Sequence, residues 1–383
     1  MNPKNHSKVQ IGILGGGQLA RMLYLEGQNM GLCVHVLSES KDDPAAQVCK
    51  YWHRGSPNDA RTLSKFLKKM NYVTFESEFI NAETLKKAAV KLPVKIFPKI
   101  KDIALFSDRL SQKSWLKKFN IPTAQFQSLK NSDDLIKFQP NLQKGIVIKA
   151  RRNGYDGKGT YIIRNKLQLN NWLKLNALNI SDFIIEDYIP FHRELAVQFA
   201  VNQKKEVCVF PLVEWQAENS QCKWVMGPIK PSQKYQALIR KISSALKKSN
   251  YVGFIAFELF EYKGSVLVNE VAPRVHNSAH YSIEALNLNQ FQAHLSSVLN
   301  YKLPKSPQLI APGFAMLNLI GGKFKNNKIS LLEHTALINK TYIHWYGKKD
   351  AKIGRKMGHL TSLANSPQNA LRELFKTERI LKK

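Results

Sequence analysis

The segment Asn269-Glu270-Val271-Ala272-Pro273-Arg274-Val275-His276-Asn277-Ser278 gathers an amide, a carboxylate, a guanidinium, an imidazole and a second amide in one short run. Upstream, Glu258 sits in an alternating apolar run from Val252 to Phe260, and Tyr262-Lys263-Gly264 makes a turn between the two. The run and the stretch Ser265 to Val271 read as neighbouring strands, so Glu258 and the pair Asn269/Glu270 can converge on one point. Two carboxylates and an amide oxygen suit a hard cation such as Mg2+, which takes oxygen ligands and keeps phosphates as its remaining partners. Glu258 by itself, between Phe257 and Leu259, fits a solvated strand face equally well. Just past a proline-fixed bend, Arg274, His276 and Asn277 offer a cation and two hydrogen-bonding groups.

A second chemical stretch is Ile146-Val147-Ile148-Lys149 followed by Arg151-Arg152-Asn153-Gly154-Tyr155-Asp156-Gly157-Lys158-Gly159. Glycines flanked by cations describe a loop whose backbone and charges can close over a polyphosphate. A hairpin loop with glycines at positive φ is the alternative; the lysine-ended strand and the acidic strands downstream favour the phosphate. Those strands are Phe183 to Ile189, with Glu186 and Asp187 near its end, and a run that begins at Glu194. Arg109 falls in the first turn of a helix capped by Ser107-Asp108, where a cation opposes the helix dipole and is either held for another purpose or simply exposed.

Near the start, the strand Val9 to Leu14 leads into Gly15-Gly16-Gly17-Gln18-Leu19-Ala20-Arg21, a glycine turn that opens a helix and exposes N–H groups to a phosphate. Gly15, Gly17 and Ala20 satisfy G-x-G-x-x-A, and Glu39 follows the strand Cys33 to Leu37 where a dinucleotide site would put its ribose hook. A nicotinamide-dependent oxidoreductase therefore competes at this point, as does a turn needed only for helix packing. Glu76-Ser77-Glu78 ends the strand Asn71 to Phe75, on the side where open parallel sheets place their ligands.

The elements that position these groups fall into order along the chain. Residues up to about 105 read as doubly wound, with a further strand ending at Phe97-Pro98. Val207 to Val213 reads as one strand, and Tyr235 to Ser249 as an amphipathic helix. Leu303-Pro304-Lys305-Ser306-Pro307 reads as a linker. Beyond it come strands at Ala315 to Ile320 and Thr341 to Tyr346, then a basic hairpin from Lys348 to His359. A chain of 383 residues with 44% hydrophobic content suggests two or three domains. Met1 to Gln10 is polar and no run is long enough to span a bilayer, so a cytoplasmic protein without membrane partners is expected. Cys33, Cys49, Cys208 and Cys222 are too widely spaced for a disulfide framework or zinc knuckle. The net charge of +30 comes mostly from lysines scattered over the whole length, whereas arginines such as Arg21, Arg109, Arg151, Arg152, Arg193, Arg274 and Arg355 lie in or beside the motifs. Dispersed lysine is a solvated face, so no specific nucleic acid is expected as partner.

Four separated motifs together resemble those of the N5-carboxyaminoimidazole ribonucleotide synthases, ATP-grasp ligases of purine (IMP) biosynthesis. They are Gly15 to Arg21, Lys149 to Gly159, Asn269 to His280, and His344-Trp345-Tyr346 with Gly354-Arg355-Lys356-Met357-Gly358-His359. The resemblance implies an α/β and α+β fold: a Rossmann-like pre-ATP-grasp domain (1–105), an ATP-grasp domain (106–302) and a small β-rich C-terminal domain (303–383), assembled as a homodimer. It implies carboxylation of 5-aminoimidazole ribonucleotide by bicarbonate, driven by ATP through carboxyphosphate. By the same resemblance ATP would meet Arg109, Lys149, Asn153, Gly154, Tyr155, Asp156, Gly157, Lys158, Gly159, Glu186, Asp187, Tyr188, Ile189, Glu194, Asn269 and Glu270. Glu258 and Glu270 would hold Mg2+, with Mn2+ an alternative occupant. Catalytic roles would fall to Tyr155, Asp156, Lys158, Arg274, His276 and Asn277. The aminoimidazole nucleotide would contact Arg274, His276, Asn277, Glu76, Lys348 and Arg355, with Gly17 and Gln18 near its 5'-phosphate. Ala20, Ala279 and Asn153 stand where the pattern has glycine, and Val213 to Ala217 lacks a histidine that many members place there.

Overall fold

The computed structural model describes residues 9–136, 142–154, 157–322 and 341–381. Three sheets organise them. The first is parallel throughout, with strand order β3-β2-β1-β4-β5 built from β1 (Gln10–Leu14), β2 (Cys33–Ser38), β3 (Tyr51–Arg54), β4 (Tyr72–Phe75) and β5 (Lys95–Ile96). Strand β1 lies between β2 and β4, so the order reverses there and the carboxyl ends of β1 and β4 border a crevice. Both the glycine turn and Glu76 to Glu78 occupy that crevice.

A small antiparallel sheet has the order β6-β9-β7-β8, from β6 (Phe126–Ser128), β7 (Ile146–Ala150), β8 (Thr160–Ile163) and β9 (Phe183–Asp187). The third and largest is antiparallel. It comprises β10 (Arg193–Val201), β11 (Val207–Val209), β12 (Val213–Glu218), β13 (Gln221–Gly227), β14 (Gly253–Tyr262), β15 (Ser265–Ala272), β16 (Gly313–Ile320), β17 (Thr341–Trp345) and β18 (Lys356–Ala364), in the order β15-β14-β10-β12-β13-β16-β18-β17 with β11 also on β10. The last three strands thus extend this sheet instead of forming one of their own. The helix Pro367–Leu381 buries Ala370, Leu374 and Leu381 against them.

Where one strand was expected over Val207 to Val213 there are two. Pro211 has no N–H to donate, and the chain leaves β11 beside Phe199 to Val201 and re-enters as β12 beside Glu194 to Ala196. The basic stretch from Lys348 forms mainly the loop of the β17–β18 hairpin, with strand pairing resumed from Lys356. The helix Gln233–Ser249 follows its pattern: Ser232 accepts the Tyr235 N–H, the buried side chains recur at helical spacing, and Asn250 closes it in the left-handed conformation.

The first and third sheets are joined by His294 on the helix Gln290–Val298. Its Nδ1 accepts the Phe254 N–H at 3.0 Å, so its Nε2 carries the proton towards Thr74 Oγ1 at 2.7 Å. Burial holds this imidazole down to about 4 from an ordinary 6.5. An unfolded chain takes up the proton near 6.5 and the folded chain only near 4, so unfolding binds a proton in that window and stability falls as pH drops through it. The difference is about 3 kcal/mol, an order-of-magnitude value for this gap. A His294→Gln variant should flatten the urea-measured stability profile between pH 4 and 6.5 by up to that amount; a slope equal to the parent's would count against the assignment.

Candidate active site

The hairpin β14–β15 supplies the acids. Lys263 and Gly264 both have positive φ, the signature of a tight two-residue turn. Register runs from Tyr262 opposite Ser265 to Leu259 opposite Val268, then shifts so that Glu258 stands opposite Glu270. Asn269 is the extra residue of this bulge. In a regular strand Asn269 and Glu270 would face opposite sides; the bulge turns both to the cleft between the small and large sheets. Asn269 Oδ1 accepts from Lys149 Nζ at 2.9 Å, and Glu270 receives Arg109 Nη2 at 3.0 and 3.1 Å.

Lys149, at the end of β7, is buried and shared with Glu186 of β9, whose Oε2 lies 3.0 Å away. Burial pushes the Glu186 carboxyl up, but Lys113 and Lys149 outweigh it and hold it below the usual range. Arg109 is fixed by its helix: Asp108 caps the N-terminus through the N–H groups of Leu110 and Ser111, and the guanidinium also donates to the carbonyls of Ala150 and Gly154. Gln112, one turn on, clasps both the N–H and the C=O of Val271. The Arg109 side chain therefore ties the glycine-rich loop to the acidic strand.

Asn153 takes φ 60°, the left-handed conformation that asparagine tolerates better than most residues. This explains how it stands in for glycine. A Cβ on Gly154 would come within 2.2 Å of Arg109 Nη1, and one on Gly157 within 2.3 Å of Ser220 Cβ. Gly157, with φ 77°, is held to glycine by its backbone as well as by that approach, whereas a side chain at Gly154 would push the Arg109 guanidinium aside. Lys158 is exposed at the loop tip, and Gly159 returns the chain to β8. Tyr155 and Asp156 lie outside the described residues. On the far wall, Asp187 N–H bonds to Gln125 O and Tyr188 N–H to Gly145 O as the chain leaves β9, with Ile189 half-buried beyond them. Glu194 is raised to about 7 by burial, partly offset by the Ala217 N–H.

The second half of the site lies where the large sheet meets the parallel one. Arg274 forms an ion pair with Glu78 through Nε and Nη2, joining the signature segment to the end of β4. Burial opposes both charges, but each group stabilises the other's ionised form. Glu76 accepts the N–H groups of Gly17 and Ala20, so a carboxylate already sits at the N-terminus of the helix Gln18–Asn29. Burial nevertheless pushes Glu76 up. His276 has Ser278 Oγ at 2.9 Å from Nδ1, and Gln198 donates to that same hydroxyl. The Ser278 N–H also points at Nδ1, so the imidazole carries its proton on Nε2, 3.7 Å from Glu258 Oε1. Burial, then Arg274 and Lys356, keep His276 neutral. Asn277 makes a reciprocal amide pair with Asn318 of β16.

The C-terminal loop closes this half. Gln47 donates to Gly347 O, and a Cβ on Gly347 would meet Gln47 and Arg21, so the loop packs on the helix that follows the glycine turn. Lys348 donates to Lys356 O, with its ammonium over the Tyr346 ring. Arg355 instead turns back on its own loop and donates to Asp350 O. Sequence reasoning missed Lys113, Gln112, the reach of the capping Asp108 to Arg151 and Arg152, and the Arg274–Glu78 pairing, because no local pattern marks a partner so distant in the chain.

Glu258 and Glu270, opposed across a strand pair beside an amide oxygen, form an all-oxygen donor set that fits a Mg2+ whose other ligands come from phosphates. A lysine, an arginine and a glycine-rich loop face them. The competing nicotinamide reading gains nothing from this arrangement, since the glycine turn presents its N–H groups to Glu76.

Two sheets clasping such a cleft define an ATP-grasp enzyme, and residues 114–291 match the ATP-grasp domain. Residues 8–106 match the ribonucleotide synthetase preATP-grasp domain, and 315–373 the phosphoribosylaminoimidazole carboxylase C-terminal domain. The N5-carboxyaminoimidazole ribonucleotide synthase of Synechococcus elongatus is 33% identical over 94% of this chain and 91% of its own. The Staphylococcus aureus N5-carboxyaminoimidazole synthetase complexed with ADP superposes with a TM-score of 0.87 at 31% identity, covering 97% of each chain. The Aspergillus clavatus enzyme in complex with ADP and 5-aminoimidazole ribonucleotide gives 0.86 at 30% identity, covering 99% of this chain and 100% of that one. The chain belongs to the N5-carboxyaminoimidazole ribonucleotide synthase family.

Replacing Glu270 by Gln removes a charge that a bound cation would need while keeping the shape of the side chain. Phosphate release from MgATP should fall by at least about 100-fold, the scale typical of losing one fixed charge at a transferring group. Melting temperature should fall by a few degrees, because the buried Arg109 loses its ion pair, while the fold is kept. A folded Glu270→Gln protein with near-parental turnover would sink the metal assignment.

Proposed function

We propose that this chain carries out the family reaction, ATP-dependent carboxylation of 5-aminoimidazole ribonucleotide with bicarbonate to N5-carboxyaminoimidazole ribonucleotide, ADP and phosphate. The observation that carries the reading is the Arg274–Glu78 ion pair. It sets the crevice of a nucleotide-binding parallel sheet directly against a phosphoryl-transfer cleft, so one substrate can be activated where the other waits.

Bicarbonate is a poor electrophile. An oxygen of bicarbonate attacks the γ-phosphorus of ATP, the bond to the β-phosphate oxygen breaks, and carboxyphosphate and ADP result. Phosphoryl transfer asks the protein mainly for position and for positive charge. Lys149, oriented by Glu186 and Asn269, supplies a fixed ammonium, and Arg109 keeps the glycine-rich loop against the cleft. Glu258 and Glu270 would hold Mg2+, which would supply further charge neutralisation on the phosphates. The substrate amine then attacks the carboxyl carbon, phosphate leaves, and the amine loses its proton. The loop that carries Asn153, Gly154, Gly157, Lys158 and Gly159 would keep water from the activated carboxyl group.

In this reading Glu186, Asp187, Tyr188, Ile189 and Glu194 line the adenosine end of the cleft. Arg274, His276, Asn277, Glu76 and Lys348 face the aminoimidazole nucleotide, and Arg355 would leave Asp350 O to join them. Because Glu76 holds the N–H groups of Gly17 and Ala20, its 5'-phosphate sits outward, towards Gln18 and the Lys348 loop. The domain limits are 1–105, 106–302 and 303–383, the last sharing a sheet with the second. The working form is a cytoplasmic homodimer, which sedimentation equilibrium tests directly. Among the described residues no helix is long and apolar enough to cross a membrane.

The deciding assay is phosphate release from MgATP with each of the other substrates omitted in turn. Release should require both aminoimidazole ribonucleotide and bicarbonate; turnover indifferent to the nucleotide would overturn the reading. Arg355→Met should raise the KM for that nucleotide by about 10- to 100-fold, the worth of a charge-assisted contact of roughly 1.5 to 3 kcal/mol, and leave the KM for MgATP nearly unchanged. A fall in melting temperature with both constants raised alike would instead make Arg355 a brace of its own loop.

A further inference from the structure

Lys113 is more deeply buried than Lys149, and the two are the buried lysines of the described chain. It follows Arg109 by four residues in the helix Arg109–Lys118, so both side chains leave the same helical face towards the cleft. Its Nζ donates to Thr123 Oγ1 at 2.6 Å and lies 3.3 Å from Glu186 Oε1. Thr123 passes its own hydroxyl proton to Val268 O on β15 at 2.7 Å. The other Glu186 oxygen faces Lys149 at 3.0 Å, and Lys149 continues to Asn269. One chain of contacts therefore crosses from the large sheet through Lys113 and Glu186 to Lys149 and back.

We infer that Lys113 is a positioning residue of the nucleotide site: it holds one oxygen of Glu186 against Thr123 and β15, turns the other towards Lys149, and so fixes where the Lys149 ammonium meets the phosphates. The inference rests on the ATP-grasp reading given above. Burying a lysine costs several kcal/mol before pairing, and an apolar side chain of similar length would fill the same space at less cost. What an apolar side chain cannot do is meet Glu186 Oε1, which makes no aligned hydrogen bond and depends on the Lys113 charge. Without that charge, Glu186 would lean on Lys149 alone and draw it away from the nucleotide.

Titration gives this role a readout. Burial drives the Lys113 ammonium down to about 8, against the upward pull of Glu186 from β9 and Glu270 from β15; Lys149 from β7 adds to the lowering. Above that pH Lys113 becomes neutral and Glu186 keeps a single cationic partner. Productive binding of MgATP should then decline on the alkaline side.

The test is steady-state kinetics on the full chain from pH 6 to 10, with MgATP varied at saturating aminoimidazole ribonucleotide and bicarbonate. Lys113→Met should raise the KM for MgATP more than it lowers kcat, by about ten- to a hundredfold, the scale of an ångström-sized misplacement. It should also abolish the alkaline limb. Thr123→Val keeps the backbone bridge to Val268 but removes an acceptor from the ammonium, which lowers its affinity for the proton. The limb should therefore move to lower pH while kcat at pH 7 stays parental. If Lys113→Met does not fold, Thr123→Val decides alone. An unmoved limb in Thr123→Val, or a folded Lys113→Met with parental KM and limb, overturns the inference. Either result in a parent whose phosphate release still requires both other substrates leaves the reaction assignment standing.

Discussion

Positive charge held out of water between two sheets is the constraint on which the rest of this structure depends. Arg109, Lys113 and Lys149 are all buried at the seam of the small and large sheets, and the carboxylates in direct contact with them are Glu186 and Glu270. Glu258 stands opposite Glu270 and also bears on Arg109, so three acids answer the three cations. Where an unpaired charge is expensive, that balance is what lets the cations stay buried and aimed into the cleft that the phosphates enter. The arrangement also sets the positions of neighbouring elements. The helix Arg109–Lys118 must present its residues at four-residue spacing to the cleft, which Asp108 ensures by capping and Gln112 by clasping Val271.

How much of this could be read from the chain depended on whether the signal was local. The glycine turn, the loop after Lys149 and the acidic hairpin each carry their meaning in consecutive residues, and each was placed where the pattern indicated. That Asn269 and Glu270 could act together was legible, but the reason both face one way was not. It lies in a bulge, a register shift that depends on β14 and leaves no mark on β15 itself. Lys113 reads in sequence as one more lysine of an amphipathic helix, and only its three-dimensional neighbours distinguish it from the exposed Lys117 and Lys118. The Arg274–Glu78 contact spans nearly two hundred positions, and periodicity says nothing at that range.

Composition is silent in a related way at the end of the chain. Short strands after a proline-containing linker read as a small C-terminal domain, and alternation shows that a segment is a strand without showing which edge it joins. The open edge of β13 decides that question by accepting β16, with Trp224 opposite Leu317 and Gly227 opposite Phe314. Likewise the break at Pro211 is visible as a proline, yet its effect of moving the chain from one end of β10 to the other is a property of the sheet.

That late-joining strand has a consequence for how the protein is made. Synthesis proceeds from the amino end, so β13 is complete well before Gly313 to Ile320 exist. During that interval the large sheet ends in a strand whose outward N–H and C=O groups have no neighbour, beside apolar side chains such as Val225 that the finished protein buries. Such an edge is a template for pairing with another nascent chain. Translation speed through residues 228–312, and any chaperone that shields an exposed strand, therefore act on yield without touching the chemistry of the folded enzyme.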